Sequence, residues 1–154
     1  MPSWSAPRPL LNRIGADLAR HEIVRAMTDV TGFGILGHAL EMARGSGAGI
    51  ELDAAAIPLL GHARAWAQAG HVTGASKRNW ASYGAEVGLP AGLPDWALHL
   101  LTDPQTSGGL LVACDAGAAE EILAEIRAGG HPAAARVGRL VAGAPRVRVV
   151  GGPG

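Results

Sequence analysis

Met27-Thr28-Asp29-Val30-Thr31-Gly32-Phe33-Gly34-Ile35-Leu36-Gly37-His38 runs from a short polar strand through a glycine turn into a helix. The strand is expected over residues 26–30 and the helix over 33–44, where Ile35, Leu36, Ala39, Leu40 and Ala43 mark one apolar face. Arg44-Gly45-Ser46-Gly47 then ends it, a cation followed by glycine as a helix carboxyl terminus prefers. Glycines at this density let the backbone take positive φ and approach a ligand closely. The helix turns its free N–H groups and positive dipole end back toward the loop. A carboxylate in such a loop suits a metal ion, and the N–H groups suit an anion. Asp29 is the candidate metal residue; Thr31, Gly32 and Gly34 are candidate phosphate-facing positions.

The flanking segments define the fold class. Residues 1–9 hold three prolines and no periodicity, and read as a disordered lead or linker stub ahead of one domain over 10–154. Leu11, Ile14 and Leu18 sit at helical spacing. Residues 49–53 alternate apolar and acidic side chains, as a half-buried strand does. A helix is expected over 58–69, opened by Pro58 and stopped by Gly70. Residues 71–92 are rich in small residues and read as loop, with a short strand near 79–83. A brief helix follows over 95–100, with a strand over 96–101 as the alternative. Thr102-Asp103-Pro104-Gln105-Thr106-Ser107-Gly108-Gly109 is a second polar, glycine-bearing turn, and Ser107, Gly108 and Gly109 are a candidate anion nest. An apolar strand over 110–114, a helix over 117–128 and two hairpin-like closing strands over 135–141 and 146–150 complete the order. The expectation is an α+β domain: a mixed β-sheet packed with helices.

Composition excludes several functions. Lys+Arg and Asp+Glu both total 13, so no net charge draws the chain to nucleic acid or acidic lipid. No apolar run approaches the roughly 18 residues of a membrane span. With no secretion signal and one cysteine, a cytoplasmic setting is expected. The six histidines show no metal-binding spacing, so a zinc site is not expected. Trp66, Trp80 and Trp96 read as core or interface residues.

Gly32 to Gly37 also satisfies G-x-G-x-x-G, with Asp53 at the end of the next strand where a dinucleotide fold keeps its ribose-binding acid. The preceding strand argues against that reading. It is polar rather than buried, and Asp29 would stand beside a pyrophosphate and repel it.

Thr28 to His38, followed by Asp103 to Leu111, resembles the carboxyl-terminal domain of selenophosphate synthetase (selenide, water dikinase), within the superfamily of aminoimidazole ribonucleotide synthetase. Leu10-Leu11-Asn12-Arg13 and, more loosely, residues 74–79 are similar to it too, so the resemblance covers the chain from about Leu10. It implies ATP-dependent synthesis of selenophosphate from selenide, with AMP and phosphate released. It also implies Mg²⁺ held by Asp29 at the nucleotide phosphates, a homodimer when intact, and an amino-terminal domain that binds ATP and carries the nucleophile. That domain has no counterpart in these residues, so the expectation is a fragment, a split gene product or a relic of the enzyme, inactive alone. Cys114 ends an apolar run and reads as an inert buried thiol rather than the nucleophile. A domain of a sister ATP-dependent synthetase or kinase, and a non-catalytic binding module, are the alternatives.

Overall fold

In a computed structural model, residues 11–152 are described; the expected lead over 1–9 lies outside them. The order is α1 (Ile14–Leu18), β1 (Val24–Asp29), α2 (Gly34–Ser46), β2 (Gly49–Asp53), α3 (Ala63–Gln68), α4 (Gly74–Tyr83), β3 (Val87–Gly88), α5 (Asp95–Thr102), β4 (Leu110–Cys114), α6 (Ala119–Ala128), β5 (Gly138–Val141) and β6 (Val147–Val150). Single 3₁₀ turns precede β3 and α6. The strands form two sheets, an antiparallel β1–β4 ribbon and a four-stranded sheet in the order β3-β6-β2-β5. The second sheet is mixed: β2 runs parallel to β6, β6 parallel to β3, and β2 antiparallel to β5.

The centre of the molecule is α2. From Gly34 to Ala43 only Ile35 and Glu41 escape full burial, so the helix is enclosed rather than half-wet as a single apolar stripe suggests. Leu36, Ala39, Leu40 and Ala43 meet Ile50, Leu52, Val147 and Val149 of the sheet in one core, joined by Tyr83, Leu101 and Ala113. Two fully buried leucines, Leu36 and Leu40, stabilise this contact by about 1.5–3 kcal/mol each. Alternation along β2 sends Glu51 to the opposite face, where Arg139 of β5 and Arg148 of β6 bracket it. The Arg148 hydrogen bond, then that of Arg139, holds the Glu51 carboxyl below its ordinary range.

Several expectations change. Residues 74–83, read as loop and strand, form helix α4. Thr73 caps it by accepting the Ser76 N–H at 3.1 Å, and its buried side is made by Ser76 and Tyr83, too polar a face to show as apolar periodicity. The helix expected from Pro58 begins only at Ala63. Gly61 weakens the intervening turn, and Leu59 and Leu60 remain exposed, with no packing to hold them helical. The closing strands are not a hairpin with each other, because β2 lies between them and fills one edge with each. Strand β2 is buried rather than half-buried, while β4 is mostly half-buried. Residues 96–101 are helical within α5. Trp66 is 59% exposed and belongs to no core.

Candidate functional site

The β1–β4 ladder sets Asp29 opposite Leu110, and it brings the two glycine-bearing loops together at one end of the ribbon. Beyond the ladder, Val30 N–H donates to the Gly109 carbonyl at 2.9 Å, and Gln105 N–H donates to the Thr31 carbonyl at 3.0 Å. Approach is so close at Gly108 that a Cβ there would collide with the Val30 carbonyl oxygen. The Gly108 carbonyl accepts from Asn12 Nδ2 at 3.1 Å. At Gly34, φ is +67° and a Cβ would come within 2.7 Å of the Thr102 carbonyl carbon, so α2 can start here only with glycine.

Helix α4 supplies the rest of the clamp. Asn79 spends both amide protons on carbonyls, Gly32 and Thr102, each at 2.9 Å. Tyr83 donates its hydroxyl to the Phe33 carbonyl at 2.6 Å, and burial pushes its pKa up to about 12. Thr102 is itself buried and bonded to Ser76. Neither Asn79 nor Tyr83 stands out from sequence, because both fall in the stretch read as a short strand, which is the end of helix α4. The signal that was there is Thr73 with Ser76 three residues on, a side-chain cap.

The candidate residues therefore divide by position. Gly34 and Gly108 face protein and serve close packing. Asp29, Gly32, Ser107 and Gly109 are exposed, and Thr31 is half-buried behind them. Asp29 does not cap α2: the cap position is Phe33, without a side-chain hydrogen bond. Its carboxylate takes part in none of the side-chain hydrogen bonds found among the described residues. No cluster of three or more metal-binding side chains occurs among the described residues either. One free carboxylate does not make a protein cage, but it fits an ion shared with phosphate oxygens and water, as Mg²⁺ prefers.

Other polar groups near the site are already committed. Asp103 accepts from Thr73 at 2.9 Å and holds Gln105 Nε2 at 3.3 Å, so it ties the second loop to α4. Asp53, once a ribose candidate, accepts the Ala55 N–H at 3.0 Å in a turn after β2. Ser76 and His99 lie 2.8 Å apart like a nucleophile and its base, yet Ser76 is fully buried and joins α4 to α5. Cys114 is half-exposed rather than buried. Desolvation, then the nearby Asp115 carboxylate, raises its pKa, so its thiol is still a poor nucleophile. Among the described residues no helix is long and apolar enough to cross a membrane.

Comparison with known proteins agrees with this architecture. The family described as "AIR synthase related protein, C-terminal domain" matches residues 5–150, and the chain belongs to it. Among curated proteins it is similar to "Selenide, water dikinase" of Rhizobium meliloti (strain 1021), 57% identical over 141 residues that make up 92% of this chain and 40% of that protein. The protein of the same name from Paraburkholderia xenovorans (strain LB400) is 54% identical over 140 residues, 91% of this chain and 40% of the relative. The chain thus spans about two fifths of the length of these relatives. Among solved structures, the hydrogenase maturation protein HypE in complex with ATP superposes with a TM-score of 0.60 at 20% identity, over 92% of this chain and 37% of that one. At that identity the likeness concerns the fold.

Proposed function

We propose that this chain is the carboxyl-terminal domain of a selenide, water dikinase and forms one half of its active site. The observation that carries the reading is Asp29: an exposed carboxylate, without a hydrogen-bond partner among the described residues, beside two loops bonded to each other and to α4. The relatives' name and the 57% identity support the choice of chemistry over that of a sister synthetase.

On this reading ATP is bound mainly by an amino-terminal domain, in the same polypeptide or a separate chain, and the intact enzyme is a homodimer. Asp29 contributes one carboxylate ligand to Mg²⁺. When bound, that ion would offset charge on the phosphoryl oxygens, the main demand of phosphoryl transfer. Gly32 and Gly109, with no side chains to obstruct approach, and Ser107 face the phosphates; Thr31 stands behind them. Gly34 and Gly108 act one step back by letting the loops close on Thr102 and Val30. The clamp from Asn79 and Tyr83 fixes the loop before ligand arrives, so little ordering cost falls on binding. Cys114 takes no part, and the chain alone releases no AMP.

The test mixes this chain with the separately produced ATP-binding portion of the Rhizobium meliloti relative and follows AMP release. Selenide-dependent AMP is expected from the mixture and from neither component alone. Asp29→Ala is expected to abolish it with an unchanged circular dichroism spectrum. Full activity in that variant contradicts the metal assignment.

A further inference from the structure

Among the described residues, His38 Nδ1 is the one buried side-chain polar atom without a directed hydrogen bond. It nonetheless lies 2.9 Å from Oε2 of Glu41, one turn further along α2. At the far side of the ring, Nε2 lies 3.2 Å from Thr31 Oγ1. The His38 side chain is 7% exposed and that of Glu41 is 49% exposed, so the row runs from solvent, through a buried ring, to the loop. The Phe33 ring, 5.7 Å away between centroids, closes over the imidazole.

The chemistry of this row is directional. A bare imidazole lone pair 2.9 Å from a carboxylate oxygen is repulsive, even off the line of a good hydrogen bond, so the ring proton belongs on Nδ1. With the ring neutral, Nε2 then has only a lone pair to offer. The 3.2 Å contact is a hydrogen bond only if the Thr31 hydroxyl donates. A threonine hydroxyl owns one proton, and once that points into the protein its oxygen presents lone pairs alone.

We propose that Glu41 and His38 are positioning residues: they hold the Thr31 hydroxyl in one rotamer, donating inward, so that its oxygen meets the loop mouth purely as an acceptor. Thr31 lies two residues beyond Asp29. Its oxygen is therefore suited to a cation or to cation-bound water, and unsuited to donating to a phosphate oxygen. This narrows the role of Thr31 within the site. Its consequence for the metal rests on the reading of Asp29, whereas the orientation does not.

The experiment uses the full chain, isotopically labelled, in solution. Two-bond nitrogen–proton correlations of the His38 ring read the tautomer, and three-bond couplings read the Thr31 χ1 rotamer. The expected result is a proton on Nδ1 and a single Thr31 rotamer. His38→Gln, whose amide oxygen can reach the Nε2 position, is expected to keep that rotamer. His38→Asn, which reaches only the Nδ1 position, is expected to average it.

Mn²⁺ alone then serves as the cation probe. Its broadening of the Thr31 amide is expected to need about two- to tenfold more Mn²⁺ in His38→Asn than in His38→Gln, the size of one oriented hydrogen bond. A proton on Nε2, or a Thr31 rotamer indifferent to His38→Asn, overturns the proposal. Asp29→Ala separates the two readings. If it removes Mn²⁺ broadening while the His38 tautomer and Thr31 rotamer persist, the orientation stands independently of the ligand that uses it.

Discussion

A carboxylate in a turn ordinarily finds a hydrogen-bond donor: Asp53 accepts the Ala55 N–H after β2, and Asp103 accepts the Thr73 hydroxyl from the start of α4. The Asp29 carboxylate is exposed and makes no such bond among the described residues, as the proposed ligand role requires. That candidacy was readable from an acid set among glycines just before a helix. The different duties of the glycines were not, because a close approach such as Gly108 against Val30 depends on a partner some 78 residues away. Two outcomes follow at this scale. Gly108→Ala is expected to cost about 1–3 kcal/mol in urea unfolding, through overpacking against a backbone carbonyl that cannot move without breaking the ladder. Gly109→Ala, with open space at that position, is expected to cost well under half of that. Tyr83, the sole tyrosine, gives the second. Its folded pKa of about 12 lies above the ordinary value of 10.0, so its contribution is complete below pH 10 and is lost as pH rises toward 12. The phenolate absorbance of the folded chain is expected to titrate near that raised value. Stability is expected to fall by about 2–3 kcal/mol across the same window, and Tyr83→Phe is expected to remove that component of the pH dependence.

Among the elements, α2 was legible and α4 was not, for one physical reason. Helix α2 buries leucine and alanine at helical spacing, which leaves a hydrophobic period in the sequence. Helix α4 buries a serine and a tyrosine and spends an asparagine on two carbonyls, so what fixes it is hydrogen bonding across space. The same contrast predicts how each fails. Leu40→Ala empties a fully buried site between α2 and the sheet and is expected to cost about 2–5 kcal/mol. Ser76→Ala leaves its volume nearly filled but removes the bond to Thr102, whose hydroxyl keeps the Leu98 carbonyl, and strands the His99 ring nitrogen, and is expected to cost about 1–3 kcal/mol. Its further effect is diagnostic: α4 carries Asn79, which holds the loop, so amide exchange at Gly34 and Gln105, whose N–H groups donate to the Thr31 carbonyl, is expected to quicken in Ser76→Ala, whereas in Leu40→Ala it follows global unfolding.

For the whole molecule, the α+β class was legible from the order of helices and strands, while the sheet arrangement was not. Nothing in residues 138–150 announces that β2 will insert between β5 and β6, which a short turn joins. That pairing is decided by the buried face of Ile50 and Leu52 seeking neighbours on both edges. The candidate site was legible as a pair of motifs, which the fold brings together at one end of the β1–β4 ribbon. Phe33, half-exposed beside the loop, adds an apolar rim to a mouth whose polar groups face outward. These features fit the half-site proposed above, in a chain that spans about two fifths of its relatives' length. The most direct measurement replaces the matching 141 residues of the Rhizobium meliloti selenide, water dikinase with this chain and assays selenide-dependent AMP release. The account predicts activity within about tenfold of the parent, a difference of about 1.4 kcal/mol in barrier, and its loss in Asp29→Ala with ATP still bound and the fold intact. A folded, ATP-binding chimaera without activity, or full activity in Asp29→Ala, would contradict it.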